Sequence, residues 1–206
     1  MSGIVFIISA PSGSGKSTLT NRLLSVVSDL KFSVSYTTRP PRGSEASGLD
    51  YVFISRGEFE NMVRDGAFLE HAEVFGNYYG TAKHYMDDAF AQGKDLLLDI
   101  DVQGTKQVKA KIPEAVTIFV LPPSREELEH RLRSRGQDSD EEISRRLAKA
   151  RDEIAAYGKF YDYCVVNENV EIAGREVQAI VTALRCSTGR QRPRVEKLLA
   201  SFGRKD

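Results

Sequence analysis

The sequence is short of cysteine, of net charge and of long apolar runs, and each shortage excludes a class of protein. Cys164 and Cys186 are the only cysteines among 206 residues, too few for a disulfide framework. One lies in an apolar run and the other in a helical pattern, which predicts reduced core thiols in a cytosolic protein. Lys and Arg number 29, as do Asp and Glu, so no global field is available to hold nucleic acid or an acidic membrane, and any anion site must be local. No apolar run approaches the roughly 20 residues of a membrane-spanning helix. The first run, Ile4 to Ile8, lacks the basic start and small-residue cleavage site of a secretory leader, and a cytoplasmic protein is expected. Internal repeats and low-complexity segments are also missing. A hydrophobic fraction of 41% supports a buried core, and the length suits one α/β unit with insertions.

What is present is a series of short apolar runs: Ile4 to Ile8, Leu96 to Ile100, Val116 to Leu121 and Tyr163 to Val166, with helical patterns between them. Continuous rather than alternating apolarity predicts strands covered on both faces, hence a mostly parallel sheet flanked by helices. Ser55, Ser124 and Ser139 each stand three residues ahead of a glutamate (Glu58, Glu127, Glu142), the capping-box spacing, and Gly66 and Gly136 mark stops for the first two helices. Residues 34–83 differ, being rich in Thr, Tyr, Gly and Arg with alternating stretches such as Tyr51 to Ile54, and read as a small insertion on the main sheet. The expected organisation is a core of 1–33, 84–124 and 152–206, the insertion at 34–83 and a helical lid at 125–151. The basic, weakly amphipathic tail from Ser187 reads as a peripheral helix.

The strongest chemical signal is Ala10-Pro11-Ser12-Gly13-Ser14-Gly15-Lys16-Ser17-Thr18, which follows the first apolar run and opens an amphipathic segment, Leu19 to Val27. Strand, phosphate loop and helix in that order predict a nest of backbone N–H groups for phosphate oxygens, with the helix dipole behind it. Lys16 is placed to reach the β- and γ-phosphates and the Ser17 hydroxyl to ligate Mg²⁺. Ala10 stands where the usual pattern has its first glycine. Asp99 and Asp101 close the Leu96 run and are expected to project to opposite faces, one supporting Mg²⁺ and the other facing a second substrate; helix capping is the alternative role for either. Arg39 and Arg42, stiffened by Pro40 and Pro41 and accompanied by Tyr51, Tyr79 and Thr81, predict a phosphate-monoester site. Arg131 and Arg135, at i and i+4, are expected on one helix face, with Arg146 on the next helix. Such a hairpin can close over a transferring phosphoryl group, or its arginines can pair with the acidic stretch Asp138 to Glu142. His71, His84 and His130 have no nucleophile arranged with them and read as surface or packing residues.

Taken together, these residues resemble the guanylate kinase family of nucleoside monophosphate kinases. Ser35 to Arg42, then Glu45, Gly48 and Tyr51-Val52-Phe53, resemble its GMP-binding signature, with Ser44 as a small departure; Phe68 to Ala72, Gly76 to Thr81 and Leu98 to Gly104 resemble its next blocks. The resemblance runs from the N-terminus to about Arg185 and implies the phosphate-loop NTPase fold, with 34–83 as a GMP-binding insertion. It further implies that Ser35, Arg39, Arg42, Tyr51 and Tyr79 hold the GMP phosphate while Glu70, Thr81 and Asp101 read guanine. ATP would sit on Gly13 to Thr18 with Mg²⁺ at Ser17, Arg131, Arg135 and Arg146 would stabilise the phosphoryl group in flight, and Asn167 would lie near the adenine. The expected substrates are ATP and GMP or dGMP, without nucleic-acid or membrane partners, and homo-oligomerisation is left open. Two alternatives stand beside this reading: a noncatalytic module of the same family that binds phosphopeptides, and a kinase for AMP, UMP or a sugar.

Overall fold

The structure is a computed structural model that describes residues 3–74, 76–134, 136, 138–155 and 157–203. Strands β1 (Val5–Ser9), β2 (Leu30–Phe32), β7 (Asp95–Asp99), β8 (Val116–Leu121) and β9 (Tyr163–Val166) form a five-stranded sheet in the order β2-β7-β1-β8-β9. Every pairing in it is parallel. Its covering helices are α1 (Lys16–Val26), α3 (His84–Ala91), α4 (Val102–Lys111) and α7 (Val170–Arg185). Along β1 side chains alternate between two cores, so an unbroken apolar run is required rather than an alternating one. Phe6 and Ile8 pack with Leu19, Leu23, Val177 and Val181 of α1 and α7. Val5 and Ile7 pack with Leu96, Leu98, Ala89 and Val108 on the side of α3 and α4.

β9 departs from the expectation of two covered faces: only Val165 is buried, and Tyr163, Cys164 and Val166 are exposed. The physical reason lies in the chain between β8 and β9. Helices α5 (Arg125–Arg133) and α6 (Asp140–Ala155) pack on each other through Leu128, Leu132, Ile143, Leu147 and Ala150 instead of covering that edge. The expectation of core thiols is therefore corrected. Cys164 lies on the open edge and Cys186 follows the end of α7, and both are free and exposed.

A second, four-stranded sheet, in the order β4-β3-β6-β5, is built from β3 (Tyr36–Thr37), β4 (Val52–Phe53), β5 (Phe68–Val74) and β6 (Asn77–Ala82). β5 and β6 pair antiparallel, with Glu70 opposite Thr81 beyond a register shift at Phe68. Helix α2 (Arg56–Arg64) covers one face, where Phe59 stacks on Phe68 and Tyr78 at centroid distances of 4.6 and 5.4 Å. This sheet is fastened to the core by α4. Gln107 accepts from the His71 backbone N–H at 3.2 Å and donates to its carbonyl at 2.8 Å, and Lys111 donates to the Leu69 carbonyl at 2.6 Å.

The three expected helix starts are present, but only Ser55 and Glu58 form a reciprocal box. Ser124 and Ser139 cap Glu127 N and Glu142 N at 3.1 and 3.2 Å. The Glu127 and Glu142 carboxylates turn instead to Arg131 and Arg146, since a charged partner one turn on outcompetes a single backbone N–H. Gly66 and Gly136 adopt positive φ of 62° and 61°, as helix stops do. The tail forms α8 (Thr188–Ser201), which has no buried residue. Among the described residues no helix is long and apolar enough to cross a membrane.

Candidate active site

Parallel register brings the chemistry together at one end of the sheet. Ile8 pairs with Asp99, so the end of β7 lies beside the loop that leaves β1. That loop turns at Gly13 and Gly15, with φ of 95° and 86°, a conformation L side chains rarely adopt. Space demands glycine as well: a Cβ on Gly15 would meet Asn167 Nδ2 at 2.4 Å. Ser14 donates its N–H to the Pro11 carbonyl at 3.1 Å, and its buried hydroxyl has no hydrogen-bond partner among the described residues. Ala10 and Pro11 are buried behind the turn, while Ser12, Ser17 and Thr18 are exposed. Lys16 pairs with the Asp99 carboxylate and donates to the Ile100 carbonyl at 3.2 Å, and Thr20 donates to the other Asp99 oxygen at 3.3 Å.

Asp99 and Asp101 do serve different partners, though not through strand alternation, which would set i and i+2 on one face. β7 ends at Asp99, and Asp101 belongs to the start of α4, where its Oδ1 accepts from Gly104 N at 2.8 Å. Capping is therefore the contact Asp101 makes, and its charge helps to raise the Glu70 carboxyl. Glu70 is 5% exposed and accepts from the Thr81 hydroxyl at 2.7 Å. Burial, and after it the Asp101 charge, outweigh the Thr81 hydrogen bond and push the carboxyl up to about 7. A Cβ on Gly104 would meet Glu70 Oε2 at 2.7 Å, so α4 leaves room for this carboxylate only because that position is glycine.

The arginine-rich end of the second sheet forms a separate cluster. Arg39 is 7% exposed, lies 5.3 Å from the Tyr51 ring centroid and 5.9 Å from that of Phe53, and interacts with Tyr79. Glu45 holds its Nη2 with both carboxylate oxygens at 2.9 Å, which raises the arginine and keeps the Glu45 carboxyl below its ordinary range. Tyr51 and Tyr79 meet edge to face, with ring centroids 5.9 Å apart and planes inclined at 67°. The Ser35 carbonyl accepts from Val52 N at 2.9 Å, and Arg42 is exposed. Burial raises the Tyr51 phenol, and after Tyr79 the next contribution is the Asp99 charge. Asp99, the partner of Lys16, thus lies within electrostatic reach of Tyr51.

Of the three lid arginines, Arg135 lies outside the described residues, just beyond the end of α5 at Arg133. Arg146 is paired with Asp138 at 3.2 Å and Glu142 at 3.5 Å inside the hairpin, the acidic pairing that stood as the alternative. Arg131 does more: Glu127 holds its Nε at 2.7 Å, and its Nη2 donates to the Asn167 carbonyl at 3.0 Å. Asn167, in turn, is buried and donates its side-chain amide to the Ser14 carbonyl at 2.8 Å.

The guanylate kinase family model matches residues 3–184. The chain belongs to the guanylate kinase family. It is 50% identical over 202 residues to a guanylate kinase of Nitrosococcus oceani, covering 98% of this chain and 99% of that one. It is 56% identical over 188 residues to one of Koribacter versatilis, covering 90% and 80%. The crystal structure of guanylate kinase from Anaplasma phagocytophilum superposes with a TM-score of 0.80 at 36% identity, covering 99% of this chain and 97% of that one. The expected phosphate-loop NTPase fold, a parallel sheet flanked by helices, is the fold observed.

Sequence reasoning missed several groups at this site. Glu153 of α6 carries a carboxyl raised by burial within reach of the Asp101 and Lys16 charges. Tyr161 stacks on Phe119 at 4.5 Å, its phenol raised by burial. Gln107 and Lys111 of α4 follow Gly104 at helical spacing, and that spacing was the one signal available for them.

Proposed function

We propose that the chain transfers the γ-phosphoryl group of ATP to GMP, and to dGMP, in an Mg²⁺-dependent reaction of purine nucleotide metabolism in the cytoplasm. The observation that carries this reading is the place of Asp99, which pairs with Lys16 of the phosphate loop and lies within electrostatic reach of Tyr51 in the arginine cluster. A triphosphate seated on Gly13 to Thr18 and a monophosphate seated on Ser35, Arg39, Arg42, Tyr51 and Tyr79 would then meet near that carboxylate. Lys16 would exchange Asp99 for phosphate oxygens, a multivalent anion being the stronger partner.

Glu70, Thr81 and Asp101 form the base-reading end. Guanine offers donors at N1 and at its 2-amino group, which one carboxylate accepts together, whereas adenine presents an acceptor at N1. Ionised Glu70 is the form that binds, and its Thr81 bond fixes the direction of its acceptors. Among the described residues no three His, Cys, Asp or Glu side chains are grouped to hold a metal, and Mg²⁺ in phosphoryl-transfer sites draws much of its coordination from phosphates and water. The exposed Ser17 hydroxyl and the Asp99 carboxylate, both hard oxygen donors at the phosphate loop, fit that requirement and would hold it. When bound, Mg²⁺ neutralises charge on the phosphate oxygens.

The remaining work is positioning and charge stabilisation by the chain's own residues. Lys16 would stabilise the transferring group from the phosphate loop. Arg131, Arg135 and Arg146 would approach it as the 125–151 hairpin and the 34–83 insertion close, excluding water that could accept the phosphoryl group. Asn167 would line the adenine side, held there by its bond to Ser14. A coupled assay of ADP formation tests the reading: Mg²⁺-dependent turnover with GMP and not with AMP or UMP is expected. Absence of turnover with every monophosphate, together with binding of a phosphopeptide, would establish the noncatalytic alternative.

A further inference from the structure

We propose that Glu45 is a stand-in for the acceptor's phosphate: its carboxylate occupies the anion position on Arg39 in the unliganded chain and leaves it when a phosphate monoester binds. The inference rests on the reading of Arg39 as part of the GMP phosphate site. A guanidinium as buried as Arg39 cannot stand without a counter-anion, because desolvation of an unpaired charge is costly. Glu45 is the anion set against it, with the Tyr79 side chain beside it. The Tyr51 and Phe53 rings lie against the guanidinium and Nη1 donates to the Pro40 carbonyl at 2.7 Å, while both Glu45 oxygens lie 2.9 Å from Nη2. Nη2, which donates to the carboxylate oxygens here, can donate to phosphate oxygens in the same way.

Glu45 is also able to leave. Its side chain is 25% exposed, and the residues before it, Arg42, Gly43 and Ser44, are exposed, with Gly43 at a positive φ of 53°. Its Oε2 accepts from Arg42 N at 2.8 Å, so departure also frees a backbone donor beside the site. A phosphate monoester carries close to two negative charges at neutral pH and three acceptor oxygens. Two anions on one guanidinium repel, and the weaker, singly charged one is displaced. A ligand with the same base and no phosphate leaves Glu45 in place.

Glu45→Gln removes the competing charge and keeps the size. The unliganded variant is expected to melt below wild type, its GMP-induced rise in Tm to exceed that of wild type, and the calorimetric Kd for GMP to fall about three- to tenfold, the worth of one partly exposed charged contact. Guanosine affinity is expected to stay unchanged. Weaker GMP binding by the variant would show that Glu45 orients Arg39 for substrate and would overturn the proposal while leaving the acceptor site intact. A wild-type chain that does not bind GMP overturns the acceptor-site reading and the proposal with it. A structure of the wild-type chain with GMP supplies an arm independent of the variant's folding: Glu45 out of hydrogen-bond reach of Arg39 is expected, and a retained two-oxygen contact overturns the proposal.

Discussion

Glu70 titrates where enzymes are commonly assayed, and that makes the base-reading site testable by pH alone. In the unliganded chain burial pushes its carboxyl up to about 7, yet only the ionised form can accept both guanine donors. At pH 6 about a tenth of the chain then carries ionised Glu70 and at pH 8 about nine-tenths, so its contribution to kcat/KM for GMP rises about tenfold across that interval, or about 1.4 kcal/mol. The GMP phosphate itself titrates near pH 6, and the control for it is Glu70→Gln, which lacks the carboxyl. The ratio of wild-type to variant kcat/KM, measured from pH 6 to 8 in one mixed buffer at constant ionic strength, isolates the term. A ratio that does not change with pH would refute the reasoning, since it would mean that Glu70 is ionised throughout or does not meet the base. The same shift acts on stability. Because the folded pKa lies above the unfolded value of 4.5, neutral Glu70 contributes stability that is fully present below about pH 4.5 and is lost as pH rises through about 7.

Lys16→Ala should lower kcat by at least about a hundredfold, the scale of losing one preorganised charge at the transferring group, with little change in calorimetric GMP affinity; near-normal turnover would remove the phosphate loop from the mechanism. Gly104→Ala would drive a methyl group to 2.7 Å from Glu70 Oε2, whose other oxygen is tied to Thr81, so KM for GMP should rise sharply while KM for ATP stays within about twofold of wild type. Asp95 accepts from Ile4 N at 2.6 Å and from Arg185 Nε at 2.7 Å, joining the start of β1 to the end of α7. Asp95→Asn should therefore cost about 1–2 kcal/mol, lowering Tm by about 2–8 °C in thermal melts with kcat unaltered.

The phosphate loop, the strands of the main sheet and the capped helices were legible because each is a local pattern. Glycines at forced φ, apolar runs of strand length and Ser-x-x-Glu spacings act within a few residues of themselves. Glu70 with Thr81 was legible only through the family resemblance, since their contact comes from strand register between residues 11 positions apart. The pairing of Arg146 with Asp138 and Glu142 was legible as one of two alternatives, while the contacts of Arg131 and Glu45 were not legible. Pairing among charged neighbours is a competition of small differences, in which Glu127 chose Arg131 over a cap and Glu45 chose Arg39. Cys164 misled because an apolar run does not tell a central strand from an edge strand. Its exposure follows from where α5 and α6 pack, a tertiary outcome that Tyr163 to Val166 do not encode.

The central claim is that the pocket around Glu70 selects guanine for phosphoryl transfer from ATP, and the ratio of kcat/KM for GMP to that for AMP tests it most directly. A site that leaves buried polar groups unpaired against the wrong base discriminates by about 10⁴-fold or more. Wild type should show a ratio on that scale, and Glu70→Gln should reduce it through loss of GMP efficiency, by the about 1.5–3 kcal/mol of a charge-assisted hydrogen bond. A wild-type ratio near one, or a ratio that Glu70→Gln leaves unaltered, would contradict the account.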